Sequence, residues 1–147
     1  MRLWHQALIP FLDRQRLLSQ HRECAALRGA GWGRKHATVD YAFTYSPAHL
    51  FCYHQLVMDE MEKRGYNVSA EWRNPDYRGK TLGIQDNWCD KKEIKTIEHA
   101  QEIDPYLSIY SYHDTEYLQT CINLLYQKKA EIDWENVCAA TGLEPEV

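Results

Sequence analysis

The chain has 147 residues, 44% hydrophobic and 26% charged, with a formal net charge of −4. Its length suits one globular domain, and no apolar run approaches the ~20 residues that cross a bilayer. Five cysteines (Cys24, Cys52, Cys89, Cys121, Cys138) are odd in number and form no C-x-x-C pair, which reads as reduced thiols rather than a disulfide framework or zinc site. The opening Met1-Arg2-Leu3-Trp4-His5 lacks the apolar segment of a secretory signal, so a cytoplasmic location is expected.

In chain order, residues 1–12 are apolar and Asp13 is a natural N-cap. From Arg14 to Arg28, Leu17, Leu18, Ala25 and Leu27 suit one helical face, and Gly29 suits the position after a helix. Arg16, Gln20, Glu23 and Leu27 are spaced four, three and four apart, so Glu23 shares a stripe with Arg16. Gly29-Ala30-Gly31-Trp32-Gly33-Arg34-Lys35-His36 follows. Its alternating glycines predict a loop whose backbone approaches something closely, and it lacks the G-K-[ST] ending of a P-loop.

Ser46-Pro47 opens a second helix, with Leu50, Tyr53, Val57 and Met61 as its apolar stripe, flanked by Phe51, Leu56 and Met58. It closes on Lys63, Arg64 and Gly65, cations matched to the helix dipole. Residues 66–90 read as irregular, 91–102 as a short polar helix, and 105–112 as an aromatic, partly alternating stretch. His113 to Ile132 reads as a third long helix with Tyr117, Leu118, Cys121, Ile122, Leu125 and Tyr126 inward. Asp133 to Ala140 reads as a short last helix closed by Gly142. The expected fold is mostly α: a compact single-domain bundle of three main helices with short extra helices and irregular loops.

Charge is unevenly spread. Residues 1–37 carry +5 and residues 38–147 carry −9. A basic block on an acidic body is a footprint for a polyanion.

Met1-Arg2-Leu3-Trp4-His5, Gln20-His21-Arg22-Glu23, Leu27-Arg28-Gly29, Arg34-Lys35-His36, Tyr45-Ser46-Pro47 and Lys63-Arg64-Gly65-Tyr66-Asn67-Val68 together resemble the pyrimidine dimer DNA glycosylase family. The resemblance covers residues 1–68; residues 69–147 form an unmatched extension expected to pack on that core. It implies a compact helical fold and a DNA repair enzyme of base excision: a hydrolase that cleaves the glycosidic bond of a damaged pyrimidine in double-stranded DNA, then acts as an AP lyase by β-elimination. The family's nucleophile is the α-amine of the N-terminal residue, assisted by a glutamate on the first helix, with arginines gripping phosphates. No metal or other cofactor is implied.

The chemistry agrees with that use. An imine-forming amine must be unprotonated near neutral pH, and an α-amino group (about 7.7–8.0) meets this better than an exposed lysine (about 10.4). Two readings of the terminus stand: Met1 supplies the amine, with its side chain incidental, or the chain is one residue too long and the amine is misplaced. Glu23 matches the catalytic glutamate; the alternative is a surface residue paired with Arg16. Arg2 and Arg22 match phosphate-holding arginines. The family's third arginine, three residues beyond the glutamate, is replaced by Ala26, and Arg28 is the candidate substitute.

Arg34, Lys35 and His36 are further phosphate candidates. Trp32 is either a wedge at a base step, since the reaction needs a displaced nucleotide, or a cap on the core. Tyr106, Tyr110 and Tyr112 are either a stacking surface or core. His5, His21 and His36 lack metal-ligand spacing. Two rival functions remain at this stage: a non-catalytic nucleic-acid-binding module of the same fold, and a protein-interaction domain built on the acidic, aromatic-rich 69–147 segment.

Overall fold

The computed structural model describes residues 1–146. Its order is a 3-10 helix Gln6–Phe11, α1 (Arg14–Arg28), a 3-10 helix Asp40–Thr44, α2 (Pro47–Lys63), a 3-10 helix Ala70–Arg73, α3 (Lys91–Ile103), α4 (Thr115–Gln127) and α5 (Trp134–Thr141). The described residues form no β-strand, only an isolated bridge between Tyr77 and Ile84. The fold is all-α. α1 packs on α2, α2 on α3, and the Gln6–Phe11 turn on both α2 and α5.

One core runs from Leu3 to Val137 and takes side chains from all five helices. α2 is its axis: Leu50, Phe51, Cys52, Tyr53, Val57, Met58 and Met61 are all buried, so the helix is covered on more than one side. Cys24, Cys52, Cys89 and Cys121 are buried thiols and Cys138 is exposed; none is bonded to another. No helix among the described residues is long and apolar enough to cross a membrane.

Two expected caps are occupied differently. Asp13 stands at the N-cap of α1, but its carboxylate takes Arg16 Nη1 at 3.3 Å instead of a helix N–H. Ser46 stands at the N-cap of α2, but its hydroxyl donates to Glu93 Oε1 at 2.7 Å, tying α2 to α3.

The third long helix is shorter than its pattern predicts. Asp114 caps it by accepting Tyr117 N–H at 2.8 Å. The chain leaves it at Lys129, which adopts a left-handed φ of 56° while Ala130 N–H returns to the Leu125 carbonyl. Tyr126, expected inward, is 44% exposed.

The Gly29–Gly33 loop does approach something closely, and the partner is its own helix. A Cβ on Gly31 would stand 2.7 Å from the Ala26 carbonyl oxygen, whose hydrogen bond from Gly31 N–H closes the end of α1.

Candidate active site

The first four residues have no regular structure, yet side chains from four parts of the fold hold their backbone. Gln20 of α1 is the hub and is buried. Its Oε1 accepts Trp4 N–H at 2.7 Å, and its Nε2 donates to the Arg2 carbonyl at 2.8 Å and to Glu23 Oε2 at 3.0 Å. Both amide hydrogens are therefore used, and one amide aligns the arm along α1.

The Leu3 carbonyl accepts the Tyr117 hydroxyl at 2.6 Å. The Trp4 carbonyl accepts the Tyr53 hydroxyl at 2.6 Å, and that single hydrogen is shared with Gln20 Oε1 at 2.9 Å. Burial pushes the phenols of Tyr53 and Tyr117 up, so both remain neutral donors. The Met1 carbonyl accepts the Thr38 hydroxyl.

Glu23 completes the clamp. Its Oε2 accepts Arg2 N–H at 3.1 Å. The Met1 α-amine is separated from that held nitrogen only by the Met1 Cα and carbonyl carbon, and Met1 is 46% exposed. The amine is therefore within one peptide unit of the atom that the carboxylate holds, on a residue that is partly exposed. No ion pair joins the amine to a carboxylate among the described residues. Among the described residues Glu23 Oε1 has no hydrogen-bond partner, and it is not a buried atom, so solvent reaches it. The Arg16 pairing that would make Glu23 an ordinary surface residue is not formed: Arg16 turns to Asp13.

The other candidates separate. Arg22 is exposed and, among the described residues, held only by the Ser19 hydroxyl at 2.9 Å. Arg34, Lys35 and His36 are exposed on the segment that carries Thr38. Arg2 is half-buried, its guanidinium 5.9 Å from the Tyr117 ring centroid. Trp32 is half-buried, edge-on to Phe43 at 5.0 Å and Trp88 at 5.5 Å, the arrangement of a core cap.

Arg28 requires a correction, because it is 0% exposed and offers nothing to DNA. Its guanidinium donates to the carbonyls of Trp72 (2.8 Å), Asn74 (2.7 Å) and Tyr77 (2.9 Å) and to His54 Nδ1 (3.0 Å). It lies between the Phe51 and Trp72 rings, with centroids at 5.2 and 5.0 Å. Burial pulls its pKa down to about 10, still charged at neutral pH. The helical pattern gave no hint, since Arg28 sits one step past Leu27 at the end of α1.

The aromatic stretch also divides. Tyr110 is fully buried, Tyr106 is 92% exposed, and Tyr112 is 48% exposed with its ring stacked 4.0 Å from that of Tyr41. The three histidines considered as a set lie in three networks. His5 donates to the His113 carbonyl, His21 bonds to His54, and His36 bonds to Thr38.

Sequence reasoning missed Thr38, Tyr53 and Tyr117 as holders of the terminus. Gln20 was on the Glu23 stripe, three residues before it, and that spacing was the available signal.

The family model of pyrimidine dimer DNA glycosylases matches residues 1–74. No curated protein and no solved structure matches the chain. The matched segment contains Met1, Arg2, Gln20, Glu23, Thr38 and Tyr53, the greater part of the clamp around the terminus, and Arg22 beside it. The chain belongs to the pyrimidine dimer DNA glycosylase family.

Proposed function

We propose that this protein removes damaged pyrimidines from duplex DNA and then cleaves the strand as an AP lyase, with the Met1 α-amine as nucleophile and Glu23 as its acid–base partner. The observation that carries the reading is the Glu23 Oε2 contact to Arg2 N–H at 3.1 Å. It supports the reading because it ties a carboxylate to the peptide nitrogen that directly follows the Met1 residue. It also favours the reading in which Met1 supplies that amine over one in which the terminus is misplaced.

The amine nitrogen attacks C1′ of the damaged nucleotide, and the C1′–N1 electron pair leaves with the base. Glu23 accepts the proton released by the nitrogen and returns it to O4′ as the C1′–O4′ bond opens, leaving an iminium. A proton then leaves C2′, and the iminium relays its electron pair until the C3′–O bond breaks and phosphate departs. Arg2, Arg22, Arg34 and Lys35 hold the strand through its phosphates, and a cyclobutane dimer is the substrate that the family points to.

The test is duplex DNA carrying one dimer or one abasic site, incubated with protein and borohydride. Strand cleavage and a reduced covalent adduct are expected, and both fall sharply in Glu23→Gln. Salt-sensitive binding without cleavage would leave only a nucleic-acid-binding module. No affinity at moderate salt would leave a protein-interaction domain.

A further inference from the structure

The geometry points to Thr38 and His36 as positioning residues that fix the first peptide plane and so aim the Met1 amine; the inference rests on the function proposed above. The Met1 carbonyl can only accept, so the one hydroxyl hydrogen of Thr38 is committed to it. Thr38 Oγ1 also lies 2.9 Å from His36 Nδ1. With its hydrogen already spent, the hydroxyl must accept there, and His36 Nδ1 must carry the proton. The chain of donation runs from His36 Nδ1–H to Thr38 Oγ1–H to the Met1 carbonyl.

The other edge of the same peptide is held by Glu23, which accepts Arg2 N–H at 3.1 Å. A peptide unit is planar. Once its C=O and N–H are both fixed, the amine keeps one soft rotation, about the Met1 Cα–C bond. The nitrogen is thereby confined to a circle beside Glu23.

The segment that presents Thr38 is anchored at its own start, where Asp40 Oδ1 accepts His36 N–H at 2.7 Å. His36, a phosphate candidate by sequence, thus acts from behind the reacting atoms. Thr38, half-buried and outside any helix, gains a role that its surroundings alone do not suggest.

Three measurements test this, and two do not depend on catalysis. In wild type, long-range 15N NMR should find neutral His36 as the Nδ1–H tautomer; the Nε2–H tautomer would overturn the relay. Thr38→Val, which removes the hydroxyl at nearly constant shape, should speed amide exchange at Arg2 about 10-fold or more, while the melting temperature stays near that of wild type. Arg2 exchange at the wild-type rate would overturn the clamp.

On abasic DNA, Thr38→Val should slow single-turnover borohydride trapping by about 10- to 100-fold, the scale of a misplaced reacting group, with unchanged DNA affinity and with recovery in Thr38→Ser. Weakened affinity at an unchanged trapping rate would make Thr38 a backbone contact instead and refute the proposal. If wild type forms no adduct, the proposed function fails, while the tautomer and exchange results still decide whether the clamp exists.

Discussion

Replacing Gln20 with leucine removes the hub of the N-terminal arm at nearly constant volume. Trp4 N–H, buried with its residue at 8% exposure, loses its acceptor 2.7 Å away and has no substitute. Stranding a buried donor costs about 1–3 kcal/mol. Loss of the bonds to the Arg2 carbonyl and to Glu23 adds about 1 kcal/mol, because water replaces part of both.

The total is about 2–4 kcal/mol, a large share of the roughly 5–15 kcal/mol that stabilises a domain. At about 2–4 °C per kcal/mol for a chain of this size, the melting temperature should fall by about 5–15 °C. Thermal unfolding followed by circular dichroism reads this, and trapping on abasic DNA below the transition reads the amine, which should react about 100-fold more slowly as the arm drifts by an ångström. A melting point within 2 °C of wild type, with undiminished trapping, would refute the claim that Gln20 holds the arm.

Glu23→Gln keeps an acceptor for Arg2 N–H but removes the proton carrier; strand cleavage should drop about 10²- to 10⁴-fold while gel-shift affinity holds. Arg34→Ala and Lys35→Ala should each reduce the slope of log affinity against log salt by about 0.9, the signature of one lost phosphate contact. Arg28→Met should leave that slope alone and instead lower stability in chemical denaturation by about 1–3 kcal/mol for each of the carbonyls of residues 72, 74 and 77 left without a donor.

Stability should also fall with acid from about pH 6.5 down to about pH 3. Burial holds the His113 pKa down at about 3, with Nδ1 accepting Gln6 N–H, whereas the unfolded ring protonates near 6.5. The unfolded chain therefore binds more protons across that window, and stability drops by about 1.4 kcal/mol per pH unit. Buried His5 and His54 act in the same direction. Melting scans at fixed ionic strength should show a shallower acid slope in His113→Gln.

Periodicity located the helices well because it is a local property. Leu17 and Leu27 on α1, and Tyr53, Val57 and Met61 on α2, face inward as their spacing requires. It misjudged the end of α4, where the Lys129 turn is set by a left-handed residue that no pattern marks. The Asp40–Thr44 turn likewise gave no periodic signal.

At the candidate site, the legible part was what helix spacing or motif content carries: Met1, Arg2, Arg22, Glu23 and the Arg34–His36 run. Thr38, Tyr53 and Tyr117 act on the arm from 37, 49 and 114 residues away in sequence, and no local rule connects such positions. Arg28 misled for the opposite reason. A charged residue at the end of a basic helix reads as solvent-facing, and only the fold reveals the carbonyls of residues 72–77 closing over it.

The first nitrogen of the chain is proposed as the reagent. Borohydride-trapped adduct on abasic DNA, digested with protease and nuclease and then mapped by mass spectrometry, locates the bond directly. The sugar remnant is expected on the Met1 α-nitrogen and nowhere else. A remnant on a lysine side chain, or an N-terminal peptide of unmodified mass in trapped protein, would contradict that assignment.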